Sequence, residues 1–82
     1  MYRLLVATPE QVIFDGPVQS TILPGSEGFF EVLTNHTPII SLLKRGKLVF
    51  RDADNHNHTY MITGGFFEFS KNQGTLLADG VD

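Results

Sequence analysis

Turn-forming residues recur along the whole chain, and their spacing limits the possible fold more than any other feature. Glycine, proline, asparagine and aspartate interrupt the sequence about every 6 to 12 residues, which is the spacing expected when short strands follow one another in a sandwich or barrel. Between the breaks, runs such as Tyr2 to Ala7 alternate with the two-residue period of a strand, and in the run from Lys47 to Arg51 this alternation puts Leu48 and Phe50 on one face. Asp15-Gly16-Pro17 is one of the predicted turns. No segment shows the 3.6-residue period of a helix. We therefore expect an all-β fold with no helix longer than about two turns.

The most densely patterned stretch reads LPGSEGFFEVLTNHTP and starts at Leu23. Its proline lacks a backbone donor, and Gly25 and Gly28 can take a positive φ without a Cβ clash. These residues predict two strands joined by a tight turn whose tip, Ser26 and Glu27, is exposed to solvent.

Two phenylalanines follow this tip. Because successive side chains of a strand point to opposite faces, Phe29 and Phe30 should face in opposite directions. We expect Phe30 to be buried in the core and Phe29 to remain exposed, where an aromatic side chain is suited to carry contact energy.

Length and charge limit the kinds of partner. The chain has 82 residues, which is enough for one domain, and we expect residues 1–82 to form it. Its net charge is −3 and its six Lys and Arg residues are scattered, so no basic face for a nucleic acid is expected. Charged residues make up 18% of the sequence, below the usual ~25%, which favours contact with another protein.

The chain contains no cysteine, so disulfides and cysteine-ligated metals are excluded. It begins directly with strand-like sequence, so we expect no signal or transit segment. The longest apolar runs are far shorter than the ~20 residues that span a bilayer. We therefore expect membrane association only through another protein.

Four possible metal ligands lie close together in one predicted hairpin loop: Asp52, Asp54, His56 and His58. Carboxylates and imidazoles bind divalent metals, but a calcium loop would need glycine where this chain has Asn57 and glutamate where it has Thr63. We expect a solvated hairpin tip and no tightly bound metal.

His36 could serve as a general base near neutral pH. A base needs a nucleophile or polarised substrate beside it, and the tip sequence Gly25-Ser26-Glu27-Gly28 lacks the G-x-S-x-G spacing of a nucleophile elbow. We expect the His36 ring to be hydrogen-bonded locally in a bend, or to contact a partner. No catalytic residue is predicted.

The Gly64-Gly65 pair precedes a strand with three phenylalanines, Phe66, Phe67 and Phe69. No Lys-Ser/Thr and no helix follows the glycines, so they do not form a phosphate-binding loop, and no cofactor site is predicted. They permit a bend or a close backbone approach. Because both faces of the next strand carry phenylalanine, we expect mostly core, with one face covered by a partner or by an edge of the fold.

An ordered set of short motifs covers nearly the whole chain: Val6-Ala7-Thr8-Pro9-Glu10, Phe14-Asp15-Gly16, Leu23-Pro24-Gly25, Asn35-His36-Thr37-Pro38-Ile39, Leu43-Lys44-Arg45-Gly46, Gly64-Gly65-Phe66-Phe67-Glu68 and Leu77-Ala78-Asp79. Each motif alone is unspecific. In this order and spacing they resemble the N-terminal β domain of the epsilon subunit of F-type rotary ATP synthases.

The resemblance implies a flattened two-sheet β-sandwich of about ten short strands. It also implies a non-catalytic subunit of the central stalk, or rotor, of a proton-translocating ATP synthase. Such a subunit packs on the gamma subunit and the c-ring and couples rotation to ATP synthesis. Its implied place is peripheral, at the cytoplasmic face of the bacterial inner membrane or the equivalent plastid face.

Contact residues carry over from the family by position. Thr8 and His36 are expected to face gamma, and the tip residues are expected to face the c-ring: Ser26, Glu27, Gly28 and Phe29. Family members commonly continue into a two-helix hairpin that restrains ATP hydrolysis. The sequence ends at Asp82, so we expect the sandwich without a C-terminal helical hairpin.

Two other classes of function remain open from the residues alone. One is a stand-alone β-sandwich module that binds a peptide or saccharide, which would need a groove with converging polar groups. The other is a small enzyme that uses His36. Co-purification with gamma tests the first alternative, and activity after His36→Ala tests the second.

Overall fold

The computed structural model describes all 82 residues and contains eight β-strands and no helix. The strands are β1 (Tyr2–Ala7), β2 (Val12–Gly25), β3 (Gly28–Leu33), β4 (Ile39–Leu43), β5 (Gly46–Asp52), β6 (Asn57–Ile62), β7 (Gly65–Ser70) and β8 (Gln73–Ala78). The all-β prediction is confirmed, with eight strands in place of about ten.

The second strand is long and bent. A straight strand of its 14 residues would be about 46 Å long, whereas the largest dimension of the molecule is 26 Å. Its first half, up to Val18, pairs with β1, and its second half, from Ser20, pairs with β3 and β5. The register shifts between Val18 and Ser20. The strand thus passes from one layer of the fold to the other.

The turn predicted at Asp15-Gly16-Pro17 is wrong. These residues lie inside β2 and pair with Leu5, Leu4 and Arg3 of β1. Up to Pro17, β2 pairs with β1 alone, and a proline is tolerated in such an edge strand because its missing donor is not needed for a second ladder.

One layer contains β4, β7, β8, β1 and the first half of β2, and the other contains β3, the second half of β2, β5 and β6. The two layers belong to one continuous hydrogen-bonded sheet, because β2 lies in both and Gly25 also pairs with Leu43 of β4. All pairings are antiparallel except β1 with β8.

The core lies between the layers and consists of 14 buried side chains. They are Tyr2, Leu4, Val6, Val18, Leu23, Val32, Leu43, Leu48, Phe50, Ile62, Phe67, Phe69, Leu76 and Ala78. The alternation read from the sequence therefore places the correct faces inward on most strands.

The Tyr2 hydroxyl is the polar group at the centre of this core. It donates to Thr21 Oγ1 at 2.6 Å and lies 2.8 Å from the Val32 carbonyl oxygen. Burial raises the pKa of Tyr2 to about 12. The hydroxyl links β1, β2 and β3 without leaving an unsatisfied buried group.

The glycine pair between β6 and β7 has φ values of 144° at Gly64 and 157° at Gly65. A Cβ on Gly65 would lie 2.4 Å from the Leu77 carbonyl oxygen. The predicted bend and close backbone approach are both present.

Candidate interaction surfaces

The turn between β2 and β3 forms a projecting tip that is held from both sides. Gly25 pairs with Gly28 across the turn, and the Ser26 N–H donates to the Leu42 carbonyl at 3.0 Å. Ser26 and Glu27 are exposed, as predicted. The tip is therefore a fixed extension of the sheet.

Two glycines make this close packing possible. A Cβ on Gly25 would lie 2.7 Å from the Gly28 carbonyl oxygen and 2.9 Å from the ring of Phe30. A Cβ on Gly46, at the start of β5, would lie 2.7 Å from Pro24 Cβ. Side chains at these positions would push the tip away from its neighbours.

Phe29 leaves the tip toward solvent, with 61% of its surface exposed. Phe30 points inward and its ring centroid lies 6.2 Å from that of Phe67. Phe30 is only half-buried, because β3 pairs with β2 alone and has no neighbour to cover its other side. The opposite orientation of the two rings is confirmed, and the full burial of Phe30 is not.

Thr8 lies in the short turn between β1 and β2. Its N–H donates to the Gln11 carbonyl at 2.9 Å, and its hydroxyl oxygen accepts from the N–H groups of Glu10 and Gln11, each at 3.3 Å. The side chain thus fixes the turn and remains partly exposed.

His36 lies at the opposite end of the same layer, just before β4. Its Nδ1 is 2.6 Å from the Thr37 carbonyl oxygen; because a carbonyl only accepts, Nδ1 carries the proton and donates. The ring meets Phe69 edge-on at 6.0 Å. The local hydrogen bond that the sequence predicts is present.

A row of apolar side chains crosses the outer face of this layer. Leu42 pairs with Phe66, Phe66 with Leu77, Leu77 with Ala7, and Ala7 with Val12. The exposed fractions are 65% for Leu42, 37% for Phe66, 50% for Leu77 and 60% for Val12. We call this set the apolar row. It contains one of the three phenylalanines singled out from the sequence.

The remaining members of the apolar row were missed in the sequence. Leu42 and Leu77 each stand next to a buried leucine, Leu43 and Leu76, so alternation of apolar and polar residues could not identify them as exposed. Their alignment also depends on the pairing of strands distant in sequence.

Two of the four possible metal ligands of the β5–β6 loop, Asp52 and His58, are hydrogen-bonded to each other through their side chains. Asp52 Oδ1 accepts the N–H groups of Asp54 and His56 at 2.9 and 3.0 Å, and its Oδ2 lies 2.8 Å from His58 Nε2. The hydrogen bond from His58 is the main cause that lowers the pKa of Asp52 to about 2. His58 also stacks on Phe50 at 4.8 Å.

No group of three or more His, Cys, Asp or Glu side chains is arranged to hold a metal ion. The absence of a tightly bound metal remains a prediction.

The structure also contains no helix long and apolar enough to cross a membrane.

The fold and these surfaces define a small β-sandwich domain whose exposed apolar groups lie on a turn tip and on a sheet face. The chain belongs to the family described as "ATP synthase, Delta/Epsilon chain, beta-sandwich domain", whose model matches residues 1–81. The family resemblance read from the sequence motifs is thereby confirmed.

Several curated relatives are named ATP synthase epsilon chain. The chain is 40% identical over 80 residues to that of Chlorobaculum tepidum, covering 98% of this chain and 91% of the relative. It is 39% identical over 82 residues to that of Protochlamydia amoebophila, covering all of this chain but 56% of the relative. It therefore spans most of one relative and little more than half of the other.

Two solved structures share the fold. A chain in the Euglena gracilis mitochondrial ATP synthase structure, titled OSCP/F1/c-ring, matches with a TM-score of 0.89 and 21% identity, covering 96% of this chain and 51% of that chain. A chain in the Tetrahymena thermophila structure, titled central stalk/c-ring, matches with a TM-score of 0.81 and 16% identity, covering 98% and 64%.

Proposed function

We propose that this chain is a non-catalytic central-stalk subunit of a proton-translocating F-type ATP synthase. It packs on the gamma subunit and the c-ring and helps to couple rotation to ATP synthesis. Membership of the family and the names of the relatives support this role. The stand-alone module that binds a peptide or saccharide gains no support from these relatives.

The rigid tip is the observation that carries the proposal. A part that transmits torque between two proteins has to keep its shape under load, and the tip is fixed to β4 by the hydrogen bond from Ser26 to Leu42. In this proposal the c-ring contact consists of four residues: Ser26, Glu27, Gly28 and Phe29. Phe29 supplies the exposed apolar surface from which interface energy commonly comes.

The contact with gamma involves Thr8 and His36. The two residues lie at opposite ends of one layer, because Thr8 follows Ala7, which pairs with Leu77, and His36 precedes β4. A partner that touches both residues spans this layer from one end to the other. This arrangement supports a broad contact between two folded surfaces.

A catalytic role for His36 is disfavoured by its bonding. The Nδ1–H group donates a hydrogen bond to the Thr37 carbonyl, and His36 forms no salt bridge with a carboxylate. A general base, in contrast, is commonly oriented by a third group. The chain is peripheral on the membrane through its partners, at the cytoplasmic face of a bacterial inner membrane or the equivalent plastid face.

Assembly tests this function. The chain is expressed with gamma and the c-ring of the same organism, and the wild type is expected to co-purify with both. Phe29→Ala should weaken capture of the c-ring. Leu33→Ala is the matched control, because Leu33 lies on the same strand and is also about half exposed. Wild-type protein that captures neither partner would overturn the proposal.

A further inference from the structure

The second layer, formed by β3, the second half of β2, β5 and β6, has a shallow groove of about 390 Å³ on its outer face. Six of the side chains that line the groove lie in two neighbouring cross-strand rows: Leu33, Ser20 and Arg51, and Glu31, Ile22 and Val49. The residues between them along the strands, Thr21, Val32 and Phe50, are buried, so the six side chains point outward.

Two opposite charges lie on this face without an ionic partner in the chain. Glu31 and Arg51 are both exposed, and none of the salt bridges includes either residue. Arg51 makes one side-chain hydrogen bond, from Nε to Asn57 Oδ1 at 3.3 Å. The two charged residues lie on the strands that flank β2 and are offset by two residues along them, so their Cα atoms are roughly 12 Å apart.

Apolar groups occupy the space between these charges. The midpoint between Glu31 and Arg51 falls on β2, between Ser20 and Ile22. Ile22 is 37% exposed and Leu33 is 51% exposed. The face therefore has an apolar centre with a negative charge at one border and a positive charge at the opposite border, an arrangement that is typical of protein–protein interfaces.

This arrangement is complementary to itself. In a two-fold dimer the same patch of both copies meets, so a contact from residue i to residue j is repeated from j to i. A two-fold axis that lies in the plane of the face and passes through the midpoint brings Glu31 of each copy to Arg51 of the other. The strands of the two copies then cross at about 70°, close to the orthogonal class of sheet packing.

We propose that the outer face of the second layer joins two copies of this chain in a weak two-fold dimer, held by reciprocal Glu31–Arg51 pairs around an apolar centre. The inference concerns the free chain and does not depend on the proposed function. The face is only about 14 Å wide across its four strands, which is small for a specific interface, so the dimer forms at high protein concentration. The two ion pairs fix the orientation of the copies.

Sedimentation of the purified chain at increasing concentration tests the dimer. The wild type is expected to pass from monomer to dimer between roughly 10 μM and 1 mM, the range of weak contacts. Arg51→Glu and Glu31→Arg each create a contact between like charges and should raise the dimer dissociation constant at least about tenfold. Lys44→Glu is the matched control, because it changes the net charge as Arg51→Glu does, at an exposed site between β4 and β5. It should leave dimerisation unchanged.

Two combinations of these substitutions should restore the dimer. An equimolar mixture of the Arg51→Glu and Glu31→Arg variants should form a mixed dimer, because opposite charges meet again at both contacts. The double variant Glu31→Arg with Arg51→Glu should associate with itself as strongly as the wild type. Thermal melts of all variants check that folding is preserved.

Three results would overturn the inference. In the first, the wild type remains monomeric up to about 1 mM. In the second, the single charge reversals dimerise as strongly as the wild type. In the third, neither combination restores the dimer. A dimer that is dissolved by Leu42→Ser with Leu77→Ser, and not by the charge reversals, would assign the contact to the apolar row instead. None of these results affects the proposed function, which is tested by capture of gamma and the c-ring.

Discussion

Asn35 and Asn72 hydrogen-bond to each other in both directions. The Asn72 side-chain oxygen accepts the Asn35 backbone N–H at 2.8 Å, and the Asn72 side-chain nitrogen donates to Asn35 Oδ1 at 2.9 Å. Both residues have positive φ, 66° and 56°, a conformation that asparagine tolerates better than most residues. The pair ties the loop that carries His36 to the hairpin between β7 and β8.

Asn72→Ala should lower the free energy of unfolding by about 1–3 kcal/mol, because it removes both hydrogen bonds. Alanine also tolerates a positive φ less well than asparagine, whose polar side chain can hydrogen-bond locally. Asn72→Gly is the control, since it removes the same bonds but accepts the backbone angle. Urea unfolding should rank Gly between wild type and Ala. Equal stability of all three proteins would show that the pair does not hold the loop.

The two phenylalanines beside the tip should separate stability from assembly. Phe30→Ala should cost about 2 kcal/mol, less than for a fully buried ring, because Phe30 is half-buried against the core. Phe29→Ala should change the melting temperature little, since its ring is exposed. Thermal melts of the two variants measure this difference, and equal destabilisation by both variants would contradict the assigned orientations of the two rings.

Gly65→Ala should destabilise the domain severely, by about 3 kcal/mol or more, because the new methyl group would collide with the Leu77 carbonyl at 2.4 Å. Gly16→Ala is the matched substitution in β2: the nearest atom to its Cβ would be a Phe14 ring carbon at 3.5 Å, an ordinary contact. We expect Gly16→Ala to be neutral or slightly stabilising. Chemical unfolding of both variants measures the difference.

Stability should fall in acid through Asp52. Its pKa is lowered from 3.8 to about 2 in the folded chain, mainly by the hydrogen bond from His58. A lowered carboxyl pKa stabilises the fold above the unfolded value, and this contribution is lost as the pH falls from about 4 to 2. Over this pH range, the free energy of unfolding should change less steeply with pH for Asp52→Asn than for the wild type. An unchanged slope would mean that other carboxyl groups carry the acid sensitivity.

The sequence predicted the parts of the fold that depend on neighbouring residues. Alternation placed Leu48 and Phe50 on one face, which the structure buries, and the glycines of the tip predicted its turn. The error at Asp15-Gly16-Pro17 arose because proline and glycine are strong turn formers. A strand accepts them here because this part of β2 lies at a sheet edge, where it pairs with β1 alone.

The candidate interaction surfaces were also predictable only in part. The tip and the exposure of Phe29 follow from local backbone chemistry and strand alternation, so they were predictable. The apolar row joins residues as distant as Val12 and Leu77 through cross-strand pairing. Since periodicity within one strand contains no information on its partners, only the folded topology reveals the row.

Restoration of coupling tests the central claim most directly. Membranes that carry the ATP synthase of the same organism are depleted of this chain, and proton-driven ATP synthesis is measured before and after the purified chain is added back. We expect the wild type to restore synthesis, Leu33→Ala to restore it equally, and Phe29→Ala to restore much less. Synthesis at full rate in the depleted membranes, or full restoration by Phe29→Ala, would contradict a coupling role that acts through the tip.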